Sequence, residues 1–146
     1  MIRENYVNIF DLNVKEYLCP VNCVGAMGAG LAKAFKDKDP LLFDLYLELC
    51  LTDQLHPDFV RVVYTPTFPG GVILFPTKLD FRQNSSVEII ERSLRSMCEL
   101  IDFGQIEYPA IPKIGAGYGG LDFNHQVRPL IDKYLRDRQI VVELCL

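Results

Sequence analysis

Hydrophobic and polar positions along this 146-residue chain change period several times, and each change predicts an element. Tyr6 to Phe10 and Tyr17 to Val21 are short runs rich in β-branched and aromatic residues, the composition of strands. Pro20 lies inside the second run and cannot donate a ladder hydrogen bond. Leu31 to Lys38 takes up helical spacing and stops at Asp39, because the residue before Pro40 is pushed out of the helical region. Leu41 to Leu51 is apolar on several faces and predicts a second, extensively buried helix.

Phe59 to Thr65 and Val72 to Phe75 read as strands. Pro66-Thr67-Phe68-Pro69-Gly70-Gly71 between them reads as the turn of an antiparallel hairpin. Ser85-Ser86-Val87-Glu88 matches a capping box with Ser85 as the N-cap. Behind it Val87, Ile90, Leu94, Met97, Cys98 and Ile101 keep helical spacing up to a stop at Gly104. Tyr108 to Ile114 predicts a strand despite Pro109 and Pro112. Val127, Leu130, Ile131, Tyr134 and Leu135 define the last helix, and Ile140 to Leu146 a closing strand. Six strands alternating with helices predict an α/β fold: three α/β/α layers around a mixed, mostly six-stranded sheet, in a single domain over residues 1–146.

Two glycine-rich stretches stand outside these periods. Asn22-Cys23-Val24-Gly25-Ala26-Met27-Gly28-Ala29-Gly30 follows a strand and opens a helix, and Ile114-Gly115-Ala116-Gly117-Tyr118-Gly119-Gly120 also follows a strand. Glycine lets the backbone approach an anion, and a helix N-terminus presents free N–H groups and a positive dipole end. Either loop alone is equally well a tight turn, but the pair suggests a diphosphate clamp at the carboxyl edge of a sheet. Neither loop ends in the Gly-Lys-Ser/Thr of a Walker A motif, and the spacing of Gly25, Gly28 and Gly30 is not that of a dinucleotide fingerprint.

Charge and cysteine usage narrow the classes. A net charge of −4 with no dense Lys/Arg cluster argues against non-specific nucleic-acid binding, while leaving room for a local basic pocket. Five cysteines at irregular spacing, with no CxxC and no nearby histidine, exclude a recognisable zinc motif and read as core residues in a reducing compartment. No apolar run is long enough to span a bilayer. A soluble, cytoplasmic monomer without metal or cofactor is expected. On chemistry alone Lys78, Asn22, Asn8, His56 and His125 are ordinary surface or turn residues.

Together the segments resemble the macrodomain family over most of the chain. The first glycine loop with Leu31-Ala32 resembles its first ligand loop, and Ile111 to Phe123 its second. Phe75-Pro76-Thr77-Lys78 with Arg82 resembles a central segment of one branch. That branch contains DarG-type DNA ADP-ribosyl glycohydrolases and terminal ADP-ribose protein glycohydrolases.

The resemblance implies an ADP-ribose ligand. It places Asn8 and Ile9 at the adenine and Asn22 at the distal ribose. It wraps Met27, Gly28, Ala29, Gly30, Thr77, Gly115, Ala116, Gly117, Tyr118 and Gly119 around the diphosphate and sugar. It makes Lys78 the catalytic residue, acting on C1″ of the ribose or on the leaving group. The protein-deglycosylating members carry an aspartate where this chain has Gly119. That difference implies an ADP-ribosylated nucleobase rather than an acidic side chain, with Lys33, Arg82 and Lys113 as candidate phosphate contacts. A phosphatase acting on ADP-ribose 1″-phosphate and a non-catalytic ADP-ribose reader are the alternatives.

Overall fold

The computed structural model describes residues 1–146. Its centre is a six-stranded sheet in the order β1-β6-β5-β2-β4-β3, formed by Ile2–Asn5 (β1), Glu16–Val21 (β2), Arg61–Val63 (β3), Val72–Pro76 (β4), Pro109–Ile111 (β5) and Val142–Cys145 (β6). All pairings are parallel except β3 with β4, the antiparallel hairpin that the sequence predicts.

Helices cover both faces. Gly30–Lys38 (α1) and Pro40–Leu51 (α2) pack on one side, Val87–Asp102 (α3) and Arg128–Leu135 (α4) on the other. Strand alternation produces this sandwich. Leu18, Ile73 and Phe75 enter the α3/α4 core beside Ile90, Leu94 and Ile131, while Cys19, Val21, Val72 and Leu74 enter the α1/α2 core beside Phe35, Leu42 and Tyr46. A strand apolar on both faces, like the fully buried β4, has to lie inside such a sheet.

Three sequence expectations are corrected. The first strand is Ile2–Asn5, not Tyr6 to Phe10. Asn8 instead caps a 3₁₀ turn at Ile9–Asp11, its side-chain oxygen accepting from Phe10 N at 3.0 Å. That local bond competes with a strand, and β1 itself is a charged edge whose Arg3 and Glu4 carry no apolar alternation. The N-cap of α3 is Ser86, whose Oγ accepts from Ile89 N at 3.2 Å; Glu88 falls one residue short of the capping-box position. The strand expected over Tyr108 to Ile114 pairs only at Pro109–Ile111, consistent with Pro112 having no N–H to donate.

The cap assignment is checkable. Ser86→Ala is expected to destabilise the fold by about 1 kcal/mol, the usual cost of a lost N-cap. Ser85→Ala removes no cap bond and should not; urea denaturation of both variants reads the difference.

Candidate functional site

Three neighbouring parallel strands, β5, β2 and β4, release the chain at the same edge of the sheet. From β2 comes the first glycine loop, from β4 the segment with Thr77 and Lys78, and from β5 the second glycine loop. Val21 pairs with Pro76, so Asn22 and Thr77 leave the sheet side by side. Backbone hydrogen bonds then tie the segments together: Thr77 N to Val21 O (2.9 Å), Cys23 N to Leu79 O (3.0 Å) and Ser85 N to Gly119 O (2.9 Å).

Between them lies a cleft of about 480 Å³. That volume falls within the roughly 300–1,000 Å³ typical of small-molecule sites. It is lined by Asn22, Gly28, Ala29, Gly30, Thr77, Lys78, Gly115, Ala116, Tyr118 and Gly119 among the residues expected from sequence. Asn8, Ile9, Met27 and Gly117 are not in that lining. Leu31 lines the cleft and also packs against the cluster of Ile9, Ala110 and Cys145, and Asn8 directly precedes Ile9 in the chain. The Met27 side chain is buried in the α1/α2 core, so the cleft can meet only its backbone.

The first loop leaves a row of backbone donors open. The N–H groups of Gly28, Ala29, Gly30, Leu31 and Ala32 donate to no backbone oxygen, and Ala29 at the N-cap of α1 offers no side-chain cap. A helix start left open in this way attracts negative charge. Gly30 is favoured by its backbone and lies close under Tyr118. Its φ is +60°, and a Cβ there would sit 3.3 Å from the Tyr118 ring. Tyr118, 76% exposed, therefore reaches from the second loop to the first across the cleft. In the second loop the N–H groups of Gly115, Gly117 and Tyr118 likewise have no backbone acceptor. Gly117, at φ +63°, provides the left-handed turn that lets successive N–H groups converge.

Asn22 is a structural pivot. Its Oδ1 accepts from Val24 N (3.1 Å), Ala26 N (3.3 Å) and the Tyr46 hydroxyl (2.7 Å), and its Nδ2 donates to Ala26 O (2.8 Å). One Nδ2 proton is left for a ligand. Sequence reasoning missed Tyr46, because a buried tyrosine in an apolar helix reads as packing alone. Burial raises the Tyr46 phenol well above its ordinary value, so the hydroxyl stays protonated as the loop's anchor. Burial also pushes the Cys23 thiol up to about 11, so the loop presents no thiolate at neutral pH.

Lys78 extends from the end of β4, with Nζ 3.4 Å from Tyr118 O. The strand end beneath it is fixed by Ser93, whose Oγ donates to Pro76 O at 2.6 Å. No Asp or Glu lines the cleft, and Lys78 and Lys113 are its cations. Lys33 is instead paired with Asp37 (2.6 Å) and Arg82 with Asp80 (2.6 Å). Phe81, Pro112 and Ser85, the last read from sequence only as a helix cap, also line the cleft. Gly119 packs against Ser85: a Cβ at 119 would lie 2.6 Å from Ser85 Oγ and require that side chain to shift.

A family model described as Macro domain matches residues 19–129. The chain belongs to the macrodomain family. The macrodomain of Thermus aquaticus DarG is similar over 100% of this chain and 98% of that one, with 29% identity and a TM-score of 0.92. Thermosipho africanus DarTG in complex with ADP-ribose is similar at 28% identity and a TM-score of 0.88, over 95% of this chain and 39% of that one. A Mycobacterium tuberculosis protein named DNA ADP-ribosyl glycohydrolase is 34% identical over 116 residues, covering 78% of this chain and 33% of that protein. The macrodomain thus spans about a third of the length of the curated relatives it matches. The expected α/β/α macrodomain fold, with its mixed six-stranded sheet, is the fold observed.

Two substitutions test the scaffold. Tyr46→Phe keeps the core volume but deletes the anchor hydroxyl. It should cost about 1–2 kcal/mol in denaturant unfolding and loosen the amide protons of residues 22–26 in hydrogen exchange. Gly119→Ala should destabilise the fold through its clash with Ser85, and Ser85→Gly in the same chain should recover most of the loss in a thermal melt.

Proposed function

We propose that this macrodomain binds ADP-ribose and hydrolyses the glycosidic link between ADP-ribose and a modified nucleobase, with Lys78 as the catalytic residue. The observation that carries this reading is the convergence, from three adjacent parallel strands, of two loops rich in free N–H groups and one lysine. The relative named DNA ADP-ribosyl glycohydrolase and the ADP-ribose complex of a similar structure support it.

In this reading the diphosphate lies between Gly28–Gly30 and Gly115–Gly119, held by backbone donors that need no reorganisation. Adenine extends past Leu31 towards Asn8 and Ile9. Asn8 keeps a free side-chain NH₂ and a second lone pair on its oxygen for the base edge. Asn22 directs its remaining Nδ2 proton at the distal ribose, and Tyr118 closes over the sugar and diphosphate. C1″ of that ribose then faces Lys78.

The Lys78 amine, when neutral, attacks C1″. A C1″–N bond forms as the bond to the base breaks, and the departing base takes the electron pair and a proton. Opening of the sugar ring gives a Schiff base, and water releases ADP-ribose and restores the amine. As an ammonium, Lys78 instead protonates the leaving group. Gly119 favours the nucleobase over an acidic side chain, since the chain carries no carboxylate at that position and none lines the cleft beside the lysine.

Lys78→Ala is expected to lower release of ADP-ribose from ADP-ribosylated single-stranded DNA by roughly 10²–10⁴-fold, the range of a lost catalytic side chain, while ADP-ribose still binds. Cyanoborohydride trapping of an adduct on Lys78 separates nucleophile from proton donor. Full turnover by Lys78→Ala overturns the catalytic assignment, and a wild type that binds ADP-ribose but releases none is a reader.

A further inference from the structure

We infer that Phe81 forms a stacking platform for the base attached to ADP-ribose, and so sets the substrate class of the cleft. The inference rests on the function proposed above and extends it from the ligand to what the ligand is attached to.

Phe81 stands three residues beyond Lys78 in the same connection and lines the same cleft. It is 54% exposed, although a phenyl ring gains from burial. The exposure is not isolated. Leu79, Tyr118 and Val24 are also exposed apolar groups on the three segments that frame the cleft. The Cys23–Leu79 backbone bond and the Lys78–Tyr118 contact knit those segments together. Phe81 and Tyr118 thus place exposed aromatic rings in the cleft beside Lys78, and Leu79 and Val24 add exposed apolar groups on the adjoining segments.

The Phe81 ring is also supported. The Arg82 guanidinium lies 5.4 Å from the ring centroid. Asp80 holds that guanidinium through two side-chain bonds of 3.0 and 2.6 Å. The pairing places a flat cation beside the ring.

The three candidate substrates ask different things of these groups. A 1″-phosphate calls for cations and free N–H groups beside the lysine. A glutamate ester calls for a polar groove that admits extended peptide. A nucleobase offers a flat π-face that stacks on an aromatic ring, the recognition that single-stranded nucleic acid binders use without strong sequence preference. The cleft's lysines and N–H groups serve a phosphate equally, but of the three the nucleobase is the one that makes use of an exposed phenyl ring with a guanidinium beside it. The ring pairs with the base after it has left the stack, so an acidic chain needs no continuous basic track to bind it.

The test compares binding in the Lys78→Ala background, where turnover does not intrude. The ligands are ADP-ribose, an oligonucleotide carrying ADP-ribose on one base, the unmodified oligonucleotide and a peptide carrying ADP-ribose on glutamate. The modified oligonucleotide is expected to bind more tightly than ADP-ribose. Adding Phe81→Ala should weaken it by roughly 5- to 150-fold, the loss of one base–aromatic stack, leave ADP-ribose within about twofold, and leave the peptide unaffected. Phe81→Trp should restore oligonucleotide binding.

Equal loss for all modified ligands, or an oligonucleotide no tighter than ADP-ribose, overturns the platform. A wild type that releases no ADP-ribose while the Phe81 dependence of binding persists overturns only the glycohydrolase reading.

Discussion

The site depends on one constraint, the parallel pairing of β5, β2 and β4. Parallel neighbours point their carboxyl ends the same way, so three connections far apart in sequence emerge together at one edge. The register is definite because each strand is buried on both faces and a one-residue slip would exchange the two cores. From that edge outward the structure holds the segments by backbone bonds and by Ser93 and Tyr46, both of which reach out of helices to fix strand or loop ends. Lys78, a long and flexible side chain, is thereby mounted on a rigid base.

The electrostatic design is local. The chain carries a net charge of −4, yet no carboxylate lines the cleft. Attraction for an anion comes from oriented backbone N–H groups at the start of α1 and in the second loop, with two lysines added. Backbone donors bring little side-chain entropy cost and remain charged neither way with pH. The surface cations nearby, Lys33 and Arg82, are neutralised by their own partners and leave the cleft as the attractive feature.

Much of this was legible in the sequence because period and glycine spacing are local signals. β4 and the helices follow from apolar runs and caps, and the two glycine loops from their positions after strands. The first strand was not legible, since an edge strand with Arg3 and Glu4 lacks alternation and Asn8 forms a turn that only hydrogen-bond partners disclose. Tyr46, Ser85 and Phe81 were invisible for a different reason: their roles arise from neighbours 24 or 34 residues away, or from an exposure that composition does not encode. The family resemblance supplied what spacing could not, the catalytic role proposed for Lys78.

A structure of the chain with ADP-ribose bound tests the central claim most directly. The diphosphate should accept from the N–H groups of the Gly28–Ala32 and Gly115–Tyr118 stretches. C1″ of the distal ribose should lie roughly 3–3.5 Å from Lys78 Nζ, the separation of a near-attack geometry. A ligand seated elsewhere, or one whose distal ribose points away from Lys78, would contradict the account.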